Sequence, residues 1–147
     1  MDTPSRYAHA VGRVSEPVTY DIERGHIQRF VEAIGDSNPI YVDEAAARAA
    51  GYARIPAPPT LATVLRPKDP REGIEIDWKK LLHGEQEFRH HRVMLAGDRL
   101  TVVGKIAEAY VKSGKSGDMD MMVLQTTATD QNGATVFTAR SLVVIKR

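Results

Sequence analysis

Apolar positions recur along this chain with the period of a helix in its first half and of strands in its second. Ile27, Phe30, Val31 and Ile34 fall at i, i+3, i+4 and i+7, one face of an α-helix. Asp21 is placed to cap its start and Gly35 to end it in a left-handed turn. Asp43 suits the N-cap of a second, shorter helix that runs through EAAARAA to Gly51. A third helix is expected to start near Pro59 and stop by Arg66, since proline is tolerated only in the first helical turn and Pro67 follows. Its Leu61, Ala62, Val64 and Leu65 make it apolar on most sides, so it is expected to be buried against a sheet.

From His83 onward the chain reads as strands. HGEQEFRHHRVM leads to the turn LAGD, RLTVVGKIAEAYVKS to GKSGD, MDMMVLQTTATD to QNGA, and TVFTARSLVVIKR follows. Asn-Gly is a strong hairpin signal. Four long strands with tight turns imply an antiparallel meander. An earlier short strand in EPVTYDIE and a central buried helix complete an α+β architecture, one curved sheet wrapped around a helix. RPKDPREGIEI is a polar excursion, and DWKKLL suits one more helical turn. Residues 1–16 are expected to be a loosely held N-terminal arm, and residues 17–147 the single domain.

A length of 147 residues suits one domain, and 42% hydrophobic residues suffice for a core. The net charge of +1 creates no strong field toward nucleic acid or an anionic membrane, so an anionic ligand needs a local site. The absence of cysteine excludes disulfides, thiolate metal sites and a cysteine nucleophile, and is compatible with a reducing compartment such as the cytoplasm. The first residues lack the apolar core of a signal peptide, and no apolar run is long enough to span a bilayer.

The candidate chemistry lies in AIGDSNPIYVDE. Asp36 reads both as an aspartate closing a helix and as a site acid, and Tyr41 both as a half-buried aromatic and as a site residue. Asn38-Pro39 fixes a turn under either reading. His90 and His91 are adjacent, so on a strand they face opposite sides and cannot serve one metal; no metal site is expected. Met119, Met121 and Met122 read as packing residues.

Three segments, GDSNPIYVDEAAA at 35–47, RIPAPPTLATV at 54–64 and LLHGEQEFRHHRVMLAGDRL at 81–100, occur together and in order. With them the chain resembles the MaoC-like hydratases and dehydratases of the hot-dog fold, over about Tyr20 to Ile145. The last segment looks most like the FAS1-like dehydratase branch. The resemblance implies (R)-specific addition of water to a 2-enoyl thioester, or loss of water from a 3-hydroxyacyl thioester. The acyl group would be carried on coenzyme A or acyl carrier protein, and no cofactor is implied. Active members carry an aspartate, then Asn-Pro, an aliphatic residue and a histidine. Asp36, Asn38, Pro39 and Ile40 match this pattern, while Tyr41 occupies the histidine position.

That departure matters because hydration needs a base for water and a proton for C2. A histidine, with a pKa of roughly 6.5, can serve either role near neutral pH, whereas tyrosine, near about 10, is a poor base. Active members also carry His-Gly before the central helix, where a backbone N–H can hold the thioester oxygen. Here Pro58-Pro59 aligns with that pair, so the donor at Pro59 is missing and the Thr60 N–H is the candidate substitute. The implied site is therefore Asp36 and Tyr41 for catalysis, with Asn38, Pro59 and Thr60 for substrate binding. Such a chain is expected to be a hydratase or dehydratase incomplete without a partner. The alternatives are a non-catalytic substrate-binding subunit of a heteromeric dehydratase and, less favoured, a hot-dog thioesterase. One of His83, His90 and His91 is a candidate replacement base. The RHHR run at 89–92 is either an anion patch for coenzyme A phosphates or a solvated strand end. Family members pair side by side, so a homodimer, or a heterodimer with a second hot-dog protein, is expected to cover the open sheet edge.

Overall fold

The helical pattern becomes α1 (Arg24–Ile34), whose Ile27 and Val31 are buried. The computed structural model describes residues 4–147. Gly35 takes φ 72°, a left-handed conformation that favours glycine, and the Asp36 N–H reaches back to the Val31 carbonyl at 2.9 Å, closing the helix. Asp21 does not cap α1. It stays in strand β1 (Val18–Asp21) opposite Arg99, and the N-cap is Glu23, which makes no side-chain bond. α2 (Glu44–Ala49) starts where expected, with the Asp43 carboxylate accepting from the Ala45 N–H at 2.8 Å.

Four long strands follow: β2 (Leu81–His90), β3 (Arg99–Gly114), β4 (Gly117–Thr129) and β5 (Thr135–Lys146). They form one antiparallel sheet in the order β1-β3-β4-β5-β2. The expected four-strand meander is therefore corrected to three strands, β3-β4-β5, with β2 at the far edge beside β5. LAGD does not join a hairpin. Residues past His90 leave the sheet and pair with the chain before the Pro58-Pro59 pair, through Ala57 N–H to Met94 O and Ala96 N–H to Ile55 O, both 2.8 Å. The chain then enters β3 next to β1. An ion cluster pins this crossing. The buried Asp98 carboxylate accepts from Arg92 at 2.7 Å, Arg54 at 3.2 Å and the Leu95 N–H at 2.9 Å. Arg92 also reaches Asp130 at 3.3 Å.

The helix expected over Pro59–Arg66 is a five-residue 3-10 turn, Pro59–Thr63. Thr60, Thr63 and Val64 are β-branched, Thr63 Oγ1 bonds the Thr60 carbonyl at 2.8 Å, and Pro67 restricts Arg66. Too few residues remain to repay nucleation of an α-helix. Leu61, Ala62 and Leu65 are still buried, joining Ile27 and Val31 of α1 over Val102, Ala128 and Phe137 of the sheet.

The arm expected to hang loosely over residues 1–16 is packed from Ser5 onward; residues 1–3 lie outside the described residues. Tyr7 and Ala10 are buried with Ile106, Met122, Val143 and Ile145 at the other end of the same sheet face. Gly12 N–H bonds Ile106 O and Ser15 N–H bonds Gly104 O, each at 2.8 Å. Two core clusters thus cover the two ends of one face and leave its middle to a trough.

Candidate functional site

Residues 36–43 connect α1 to α2 as a series of self-bonded turns. Asp36 Oδ1 accepts from the Asn38 N–H at 3.0 Å, and Asn38 Oδ1 accepts from the Ile40 N–H at 3.2 Å. Pro39 opens a 3-10 turn, Pro39–Tyr41, and the Asp43 N–H returns to the Pro39 carbonyl at 2.9 Å. These bonds hold Asp36 exposed on the surface and turn Tyr41 half inward, where it packs against the main core. Burial first, then the negative charge of Asp36, then Tyr52, push the Tyr41 phenol above its ordinary 10.0. The loop therefore places Tyr41 within the electrostatic reach of Asp36, and among the described residues no hydrogen bond joins the two. Asn38 uses its side-chain oxygen as a cap.

Pro59 and Thr60 are exposed on the separate 3-10 segment. Among the described residues, no hydrogen bond or ion pair joins them to the Asp36 loop. Pro59 offers no N–H, and the Thr60 N–H lies in a first turn, where donors have no acceptor inside the helix.

What the sequence did not reveal begins beside that segment. A trough of about 640 Å3 runs between residues 62–71 and the middle of the sheet. Its floor follows from register. Gly104, Thr126, Ala139 and Phe88 pair in one row across β3, β4, β5 and β2, and Leu124, Ser141 and Gln86 in the next. Small residues in the first row lower the floor. A Cβ on Gly104 would lie 3.0 Å from Pro67 Cγ, so the roof descends onto this glycine. A bulge at Gly84 shifts the parity of β2, putting His83 on the same face as Gln86 and Phe88. His83 Nε2 then lies 2.8 Å from Ser141 Oγ. Asp36 and Tyr41 do not line the trough. The one hint in the sequence was the run of small residues at alternate strand positions; the bulge left none.

Parts of the RHHR run find structural partners. His90 is flanked by Phe88 and Phe137, with ring centroids at 6.3 and 6.0 Å, and burial, then His91, push its pKa below the ordinary 6.5. Arg92 is committed to Asp98 and Asp130, whereas Arg89 makes an exposed 3.5 Å pair with Glu87. Among the described residues no group of three His, Asp or Glu side chains is placed to hold a metal ion, and no helix is long and apolar enough to cross a membrane.

The profile of the family "FAS1-like, dehydratase domain region" matches residues 9–139. The chain belongs to this family. A relative from Saccharopolyspora erythraea named UPF0336 protein is 37% identical, over 92% of this chain and 88% of its own. The ChsH1-ChsH2 complex from Mycobacterium tuberculosis contains a chain that is 28% identical, with a TM-score of 0.79, over 95% of this chain and 86% of that one. The HadBC (3R-hydroxyacyl-ACP dehydratase) complex of the same organism shares the fold at 24% identity and a TM-score of 0.79, over 92% of this chain and 96% of its own. The fold is thus that of the MaoC-like hot-dog hydratases and dehydratases.

Proposed function

We propose that this chain is the substrate-holding half of a hydratase or dehydratase acting on 2-enoyl and 3-hydroxyacyl thioesters of coenzyme A or acyl carrier protein. It turns over fully only with a second hot-dog protein that carries the aspartate–histidine pair. The observation that carries this reading is the Asp36–Tyr41 pair. A phenol raised above 10.0 by burial and by the adjacent carboxylate donates a hydrogen bond but does not take a proton from water near neutral pH. Asp36 remains exposed and orients water or the thioester headgroup, with Tyr41 beside it as donor. Thr60 supplies the one N–H left at the position where Pro59 has none, and Asn38 holds the turn that aims Asp36. The trough accommodates the acyl chain; at about 640 Å3 it lies within the usual range for small-molecule pockets. β2 is the long strand at one sheet edge, paired among the described residues with β5 alone, and offers its open side to the partner. A chain without cysteine and with thioester substrates suits the cytoplasm.

The test is hydration of crotonyl-coenzyme A, followed by loss of enoyl absorbance, for the chain alone and mixed with a hot-dog protein bearing an intact pair. Turnover that appears on mixing and falls with Asp36→Asn supports the proposal. Full turnover by the chain alone, unchanged in Asp36→Asn, sinks it.

A further inference from the structure

We infer that the trough selects acyl chains that carry an oxygen substituent of their own, a hydroxyl or keto group along the chain, and that His83 and Ser141 recognise it. This rests on the acyl-holding role proposed above for the same trough. Its walls at Leu65, Phe88, Leu124 and Phe137 are apolar and suit a hydrocarbon chain. Two hydrogen-bonded side-chain pairs also line it: Asp69 with Arg71 on the 62–71 segment, an ion pair whose charges satisfy each other, and His83 Nε2 with Ser141 Oγ, 2.8 Å apart on the sheet between the apolar residues.

A serine hydroxyl brings one donor and two acceptor lone pairs, so one bond to imidazole leaves capacity for a second partner in either tautomer. His83 is exposed and Ser141 half-buried, so in the empty trough water takes that capacity. A plain alkyl chain displaces this water and returns no hydrogen bond; an oxygenated chain replaces it. The Gly84 bulge builds the pair, since in an unbulged strand His83 would face away from Gln86 and Phe88. A Cβ at Gly84 would meet the Leu142 carbonyl and Val144 Cγ2, each at 3.3 Å, so the bulge has little room for another residue.

The test is calorimetric titration of the purified chain with decanoyl-coenzyme A and its monohydroxylated isomers. At least one isomer is expected to bind roughly tenfold tighter than the plain thioester, the effect of one net hydrogen bond. In Ser141→Ala and His83→Phe, checked for folding by circular dichroism, that preference is expected to vanish, so that the two thioesters bind alike. Equal affinity for plain and hydroxylated chains in the unmodified protein overturns this inference and leaves the acyl-holding role standing. A preference that survives both substitutions also overturns it. Binding of none of these thioesters overturns both.

Discussion

The Asp36 turn and the Asp120 clasp both seat a carboxylate, and they do so in opposite ways. The Asp120 side chain is 0% exposed. Its Oδ1 accepts from Ser5 Oγ at 2.8 Å, the Arg6 N–H at 3.0 Å and Arg147 Nη2 at 3.1 Å. Its Oδ2 accepts from Arg6 Nε at 2.7 Å and Arg147 Nε at 3.1 Å. Burial alone would raise its pKa, but these donors outweigh it and hold the carboxyl at about 2. Asp36, in contrast, is exposed and accepts one backbone bond. A saturated carboxylate has nothing left to offer a ligand and serves structure. One held by a single turn bond keeps lone pairs free, which is what a site acid needs.

The largest effect expected from this contrast is on stability. Asp120→Ala leaves the buried Ser5 hydroxyl and the partly exposed Arg6 and Arg147 guanidinium groups without their acceptor and is expected to cost about 3 kcal/mol. That lowers the thermal midpoint by roughly 10 °C for a chain of this size. Asp36→Ala loses one exposed turn bond and should stay within about 1 kcal/mol of the unmodified protein. Equal melting losses in the two variants, read by calorimetry, would erase the distinction. Next is catalysis. Tyr41→His places an imidazole beside Asp36 and is expected to raise crotonyl-coenzyme A hydration by the chain alone about 100-fold. Asp36→Asn in that background should abolish the gain. A flat response would mean that the pair is not aimed at the thioester.

The pH dependence follows in size. The Asp120 carboxyl has a folded pKa of about 2 against an ordinary 3.8, so its contribution is complete above the ordinary value and is lost as pH falls toward the folded one. The contribution is roughly 2 kcal/mol. Denaturant melts of the unmodified chain should therefore weaken between about pH 4 and pH 2, and melts of Asp120→Ala should lack that component. The smallest effect concerns Asn38. If it serves as the cap seen here, Asn38→Ala costs about 1 kcal/mol of stability and little substrate affinity. A large rise in KM with unchanged stability would make it a substrate ligand instead.

The features legible in the sequence were those made by neighbours along the chain. Asp43 capping α2, Gly35 closing α1 and the Asn38-Pro39 turn each depend on residues within five positions of one another. Asp36 and Tyr41 entered as one candidate site through the family-like motif, which is itself a local run of six residues. The helix at Pro59–Arg66 was misread because an apolar run does not separate an α-helix from a shorter turn; β-branched residues between two prolines decided it. The arm was misread because Tyr7 and Ala10 follow neither the helix nor the strand period.

Tertiary structure decided the rest. The sequence by itself determined the local turns, the strand segments and the family-like motif with tyrosine in place of histidine. Which strand lies beside β5 and how the Gly84 bulge turns His83 toward Ser141 depend on β2–β5 pairings 47 to 64 residues apart, and where two core clusters leave a trough open depends on how separate elements share one face. Those pairings are set by the competition of whole elements for one sheet face, and no short window of sequence contains that competition.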